Sequence, residues 1–149
     1  MSELPSALQG IVDDFAEMPS DQRLMLLLEF SDGLPDLPAT YADHPELLEA
    51  VPECQSPIFL AVELADSGID PPVRLYFSAP AEAPTTRGFA GILYEGLNGL
   101  RVSEVLAIPD DLPNCLSLTD QVSPLRLRGL AGMLGRIKGQ TRRLAGTNT

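Results

Sequence analysis

Only two stretches of this chain carry the pattern of β-strands, and they lie beside each other in its middle third. Pro57-Ile58-Phe59-Leu60-Ala61-Val62-Glu63-Leu64 is rich in strand formers, and Val73-Arg74-Leu75-Tyr76-Phe77 alternates apolar with polar. Asp66-Ser67-Gly68 and Asp70-Pro71-Pro72 between them supply turn chemistry, which predicts an antiparallel hairpin. Every other periodic stretch repeats at helical spacing. A hairpin flanked by helices on both sides restricts the chain to an α+β fold.

The helices follow from their apolar positions. Leu8, Ile11, Val12 and Phe15 predict a helix from Ser6 to Ala16. Asp21 is the expected N-cap of a second helix carrying Leu24, Leu27, Leu28 and Phe30, with Gly33 at its end. Prolines 35 and 38 forbid its continuation, and a short helix is expected near Pro45 to Glu49. Residues 78–85 read as a loop leading into a helix from about Thr86 to Leu97, closed by Asn98-Gly99. A shorter helix is expected over Val102 to Ala107. Ser123 as N-cap and Pro124 at the first helical position open the clearest element, where Leu127, Leu130, Ala131, Leu134 and Ile137 recur at helical spacing to about Leu144. With no internal repeat, low-complexity tract or linker, residues 1–149 read as one domain with a frayed tail over 146–149.

Charge removes several function classes. The net charge is −11, a field that repels phosphate backbones and anionic lipid and favours basic partner surfaces. No nucleic-acid or membrane partner is therefore expected. Six of the ten basic residues nevertheless gather near the C-terminus, at positions 126, 128, 136, 138, 142 and 143, where basic side chains on a solvated helix complement its dipole. The longest apolar run, Leu24 to Leu28, falls far short of the ~20 residues that span a bilayer. No secretory signal is visible, so the expected location is cytoplasmic.

Two cysteines, Cys54 and Cys115, and a single histidine, His44, cannot furnish a four-ligand metal centre. A reducing cytosol disfavours a structural disulfide, so cysteine chemistry here means a thiol, and no cofactor is expected. Cys54 sits on a proline-bracketed loop, Val51-Pro52-Glu53-Cys54-Gln55-Ser56-Pro57, just before the first strand. A rigid scaffold that displays a loop residue in this way is a common arrangement for chemistry. Cys115 reads as structural. A role as resolving thiol would require the two sulfurs to approach within disulfide distance. His44 reads as a solvated loop residue. The pairs Asp13-Asp14 and Asp110-Asp111 read as solvated caps.

Three segments, in order, carry a resemblance. Glu53-Cys54-Gln55-Ser56 is similar to the Gly-Cys-x-Ser loop of the SufE family of sulfur-acceptor proteins, which serve iron–sulfur cluster biogenesis. Arg87-Gly88-Phe89-Ala90-Gly91-Ile92-Leu93 resembles the Arg/Lys-Gly opening of that family's central apolar helix. Ser123-Pro124-Leu125-Arg126-Leu127-Arg128-Gly129-Leu130, with Met133 and Arg136-Ile137, resembles its Ser-Pro-Ser-Arg-x-x-Gly-Leu-x-x-Met helix. Leu34-Pro35-Asp36-Leu37 also fits. The sequence departs from the pattern at Glu53, where the family carries glycine, and at Leu125, where it carries serine.

The resemblance implies a small antiparallel sheet of about three strands packed against several helices. It also implies a function. Cys54 would accept persulfide sulfur from a SufS-type cysteine desulfurase, a pyridoxal-phosphate enzyme. It would then pass the sulfur to an iron–sulfur scaffold complex of the SufBCD type, stimulating the desulfurase. The chain would be a carrier and activator rather than an enzyme. A free-standing thiol sulfurtransferase and a non-catalytic regulatory module of the same fold are the alternatives. Within this reading Glu53, Gln55, Ser56, Arg87 and Arg126 support Cys54. Glu53 would push the thiol pKa up and Arg126 or Arg87 would push it down. Val51, Ile58, Phe59 and one face of the last helix would shield the sulfur at the rim of a shallow, mostly apolar depression. Ser56 would shape the loop by hydrogen bonding.

Overall fold

A computed structural model of the chain describes residues 4–146. Helix α1 (Ser6–Glu17) buries Leu8, Ile11 and Phe15, the i, i+3, i+7 stripe its spacing demands. A 3-10 turn over Ser20–Gln22 precedes α2 (Arg23–Gly33), so Asp21 lies inside that turn and does not cap the helix. Phe15 stacks on Phe30 with ring centroids 5.8 Å apart, joining the two helices. A short helix, α3 (Ala39–Ala42), follows Pro38, and a 3-10 turn covers Pro45–Leu47. The sequence shows no periodicity at α3 because four residues cannot complete an amphipathic repeat.

Three strands form one antiparallel sheet in the order β1-β2-β3: β1 (Glu49–Ala50), β2 (Phe59–Leu64) and β3 (Val73–Ser78). The register pairs Leu60 with Phe77, Val62 with Leu75 and Leu64 with Val73. The pleat therefore sends these six residues to the inner face. The outer face carries the alternate pairs, Ala61 with Tyr76 and Glu63 with Arg74. There α3 lays Tyr41 on Tyr76, with centroids 4.8 Å apart, and the Tyr41 hydroxyl donates to Glu63 Oε2 at 2.5 Å. The outer edge of β3 is occupied as well. Val73 N donates to the Leu100 carbonyl at 2.8 Å, and Leu75 N donates to the Asn98 side-chain oxygen at 2.8 Å.

Helix α4 (Pro84–Leu97) is buried on nearly every side, between α2, α1, β3 and α6 (Pro124–Gly146). Its approach to α2 is so close that a β-carbon on Gly91 would collide with the Phe30 carbonyl. Gly99, at φ +91°, ends this segment in a conformation that favours glycine. Between α4 and α6 lie α5 (Val102–Leu106) and a 3-10 turn at Leu112–Cys115. Lys138 of α6 is buried and donates to the Ile108 carbonyl and, at 2.8 Å, to Asp110 Oδ1, fastening this connection.

Helix α6 begins as its sequence dictates, with Ser123 Oγ accepting from the Arg126 amide at 3.2 Å. Leu127, Leu130, Met133, Leu134 and Ile137 turn inward and join a continuous apolar core that draws on every helix except α3 and on the sheet. Each fully buried side chain of this kind contributes about 1.5–3 kcal/mol. The frayed tail expected from 146 onward falls on residues 147–149, outside the described residues, while Gly146 closes α6. Among the described residues no helix is long and apolar enough to cross a membrane.

Candidate functional site

Cys54 stands at the tip of the connection between β1 and β2. The Val51 amide donates to the Ile58 carbonyl at 2.9 Å, extending the β1–β2 pairing. Pro52–Cys54 then forms a 3-10 turn, closed by Cys54 N to the Val51 carbonyl at 3.1 Å. Gln55 adopts a left-handed backbone, φ +61°, uncommon for a residue with a β-carbon, and this reverses the chain. Ile58 N donates to the Ser56 carbonyl at 2.7 Å and delivers the chain to β2.

The thiol faces α6. Cys54 is 9% exposed, and its Sγ donates to the Gly129 carbonyl at 3.5 Å. A β-carbon on Gly129 would lie 3.1 Å from Cys54 Sγ, and one on Gly132 would lie 2.9 Å from Glu53 Cβ. Two glycines one helical turn apart thus let the cysteine turn lie directly on the helix. One turn further on, Arg136 takes hold of it. Its Nη2 donates to both carboxylate oxygens of Glu53 at 3.0 Å, and its Nη1 donates to Glu49 Oε2 at 2.9 Å. Gln140, on the same stripe, donates to Glu49 Oε1 at 2.9 Å and accepts from Val62 N at 2.8 Å, standing in for the strand residues that two-residue β1 lacks.

This setting holds the thiol protonated. Burial first, and the Glu53 carboxylate second, push the Cys54 pKa up to about 12, while the Arg136 guanidinium opposes them. Glu53 itself is held below the usual carboxylate range by a hydrogen bond from its own backbone amide and by Arg136. A buried, neutral thiol is a poor nucleophile, and it is also protected from stray oxidants.

Beside the sulfur opens a depression of 320 Å³ lined by Cys54, Gln55, Ser56, Ser123, Leu125 and Arg126. The sequence led us to expect a mostly apolar basin. Instead polar side chains dominate its wall, with Leu125, 44% exposed, as the aliphatic exception. The expected shield is divided. Val51 and Ile58 are buried behind the turn, whereas strand alternation sends Phe59 to the outer face with Ala61 and Glu63.

Of the supporting residues named from sequence, Glu53, Gln55, Ser56 and Arg126 gather around Cys54. Arg87 is placed elsewhere. Its guanidinium donates to the Ser31 carbonyl at 3.0 Å, the Ala79 carbonyl at 2.6 Å and the Leu34 carbonyl at 3.2 Å, and it lines a separate depression with Pro35 and Phe77. It ties the end of α2 to the loop before α4. The groups that sequence reasoning did not assign to the site are Gly129, Gly132 and Arg136. Their spacing of three and four residues put them on one helical face, which is the signal that would have found them. Cys115 is free and exposed, with its Sγ 3.7 Å from the Asp111 carbonyl, and its pKa is raised by burial and by Asp111. His44 is exposed beside Glu46 at 3.2 Å.

Comparison with known proteins bears on this site. The family profile for SufE, described as an Fe–S metabolism associated domain, matches residues 9–141. SufE-like proteins from two strains of Mycobacterium tuberculosis, CDC 1551 and H37Rv, are each 50% identical over 141 residues, covering 95% of either chain. SufE-like protein 1 of Arabidopsis thaliana, chloroplastic/mitochondrial, is 27% identical over 135 residues, which are 90% of this chain and 34% of that one. The solution structure of a hypothetical protein from Thermus thermophilus superposes with a TM-score of 0.81 at 37% identity, covering 97% of this chain and 99% of that one.

Proposed function

The chain belongs to the SufE family, and from that premise we propose that it takes sulfur from a cysteine desulfurase as a persulfide on Cys54 and delivers it to an iron–sulfur scaffold. The observation that carries this reading is the placement of Cys54. A single thiol sits at a hairpin tip, 9% exposed, on the wall of an open 320 Å³ depression. A carrier needs both properties, shelter while it waits and an accessible face when a partner arrives.

The chemistry is thiolate exchange. Cys54 loses its proton, and its sulfur attacks the outer sulfur of the donor's persulfide. One S–S bond forms on Cys54 as the donor's S–S bond breaks, and the donor cysteine departs as a thiolate that can take up the proton. One neutral sulfur atom changes hands and no external oxidant enters. Because burial and Glu53 raise the thiol pKa, the attack has to follow movement of the turn out of its seat on α6. Gating by the partner confines the chemistry to the docked complex. Arg126, exposed across the depression, meets the anionic sulfur in this reading once the turn has moved. Gln55 and Ser56 shape the wall. These steps use no cofactor of this chain. The pyridoxal phosphate belongs to the donor, and the transfer takes place in the cytoplasm.

The test is direct. The protein is incubated with its cognate cysteine desulfurase and L-cysteine, and the Cys54 peptide is weighed. We expect the mass of one added sulfur on Cys54, and a Cys54→Ser protein that folds normally but neither gains the adduct nor stimulates the desulfurase. An unmodified wild-type Cys54 under these conditions would refute the proposal. An adduct formed equally well from thiosulfate alone would favour a free-standing sulfurtransferase.

A further inference from the structure

We propose that Arg136 is a positioning residue that latches Cys54 in its sheltered place by acting through Glu53, and that the thiol becomes reactive when this latch opens. The inference deepens the sulfur-acceptor reading and takes its biological meaning from it, but the latch is measurable with no sulfur donor present.

One guanidinium holds the stretch of chain that leads into the thiol. Arg136 reaches Glu49 in β1 and Glu53, the residue immediately before Cys54. Its Nε adds a third contact to Glu53 Oε1 at 3.4 Å. The remaining oxygen of Glu49 is held by Gln140 and lies 3.6 Å from Arg143. Both ends of the segment 49–53 are thereby fastened to one arginine of α6, with Gln140 and Arg143 reinforcing the hold on Glu49. This pairing differs from a loose surface ion pair. The Arg136 side chain is only 27% exposed, and its two-oxygen hold on Glu53 fixes direction as well as distance. Gly132 makes the hold possible, since any side chain there would displace Glu53.

The latch has a particular relation to the chemistry. Opposite charges would ordinarily place a cation beside a nucleophilic thiol to ionise it, and the Arg136 charge does pull in that direction. Its geometry, however, commits the guanidinium to the two carboxylates and presses the thiol against Gly129. Position and field therefore act in opposite senses on Cys54, and position is the larger effect because burial is the chief reason the thiol stays protonated. The charged groups around the turn are Glu49, Glu53, Arg136 and Arg143, with Arg126 across the depression. A docking partner opens the latch by offering Glu53 a basic side chain in place of Arg136.

Alkylation of the full-length protein by iodoacetamide tests this, in a Cys115→Ser background so that Cys54 alone reports. Arg136→Gln, Glu53→Gln and the double substitution are compared at pH 8. Opening a local latch should raise the rate in each single variant by roughly tenfold, with the double variant no faster than the faster single, because both substitutions break the same contact. The midpoint of the rate–pH profile should fall toward that of an ordinary thiol. Arg136→Lys, which keeps the charge but not the fork, should lie between wild type and Arg136→Gln. Hydrogen exchange locates the opening: the amides of Val51, Cys54 and Gln55 should exchange faster while those of β2 and β3 do not. A rate for Arg136→Gln equal to or below wild type would overturn the proposal, since Arg136 would then act through its field alone. Acceleration spread equally over β2 and β3 would overturn it too, as general loosening. If the latch behaves as stated while the desulfurase leaves no sulfur on Cys54, the sulfur-acceptor reading fails and the latch stands.

Discussion

A β-carbon on Gly129 would stand 3.1 Å from both the Sγ and the Cα of Cys54, so the thiol occupies space that exists only because α6 carries a hydrogen there. Such a contact is tighter than most β-carbons make, so the helix or the turn has to give by a few tenths of an ångström.

Gly129→Ala should therefore move the turn. Alanine in a helix interior gains up to about 1 kcal/mol over glycine, but forcing an extra methyl into a filled site costs about 1–3 kcal/mol. The expected result is a lower urea midpoint together with faster alkylation of Cys54. Gly135→Ala is the control: a β-carbon there meets nothing within 4 Å, so only the helix gain remains and the midpoint should rise. A Gly129→Ala protein as stable as Gly135→Ala, with an unchanged thiol, would show that the seat is slack.

The raised pKa of Cys54 has consequences for both reactivity and stability. With the pKa pushed up to about 12, the thiolate fraction at pH 7 drops to roughly one in 100,000, against a few per cent for an ordinary thiol of pKa about 8.5. Alkylation of Cys54 in the free protein should keep accelerating through pH 10 without a plateau. In the unfolded chain the same thiol ionises at its ordinary value. Between that value and the folded one the unfolded state binds fewer protons, so stability falls as pH rises. Cys54→Ala should lose less stability than wild type between pH 7 and pH 10 in urea titrations. A rate plateau near pH 9 would contradict the burial argument.

Arg87→Lys should act on the fold and spare the thiol. An ammonium cannot reproduce three directed bonds to the carbonyls of Ser31, Leu34 and Ala79, and carbonyls left without a donor cost about 1–3 kcal/mol. The urea midpoint should fall while the pH profile of Cys54 alkylation stays where it was. A shifted profile at unchanged stability would return Arg87 to the site.

Much of this molecule was legible because long amphipathic repeats and turn residues are local signals. Helices α1, α4 and α6 and the β2–β3 hairpin follow from residues that face the core wherever the chain goes, although α4 opens at Pro84, inside the stretch expected as loop. The Ser123 cap and the cysteine loop were also readable, since both are short and chemically distinctive. The short pieces were not. Helix α3 forms because Tyr41 finds Tyr76 and Glu63 across the chain, and nothing within its four residues announces that.

The choice of arginine was beyond sequence for a related reason. Arg87, Arg126 and Arg136 all lie in segments that resemble the family, and each could have faced the thiol. Tertiary packing gives each a different place: α4 turns Arg87 toward backbone carbonyls, Arg126 lines the depression beside Cys54, and the glycine-spaced stripe of α6 turns Arg136 toward Glu53. Glu53, expected to work against the thiol electrostatically, does so, yet its larger part is mechanical, as the handle by which α6 holds the turn.

The covered margin of β3 closes that edge of the sheet to recognition by strand addition. An incoming strand would need donors along that margin, and those of Val73 and Leu75 are already committed to Leu100 and Asn98. Main-chain zippering, which accepts almost any extended peptide, finds no template there. At that edge recognition falls instead to side-chain shape and charge, which discriminate among visitors, and under the proposed sulfur-carrier function a cargo as reactive as sulfane sulfur is then released only to a visitor that has been identified.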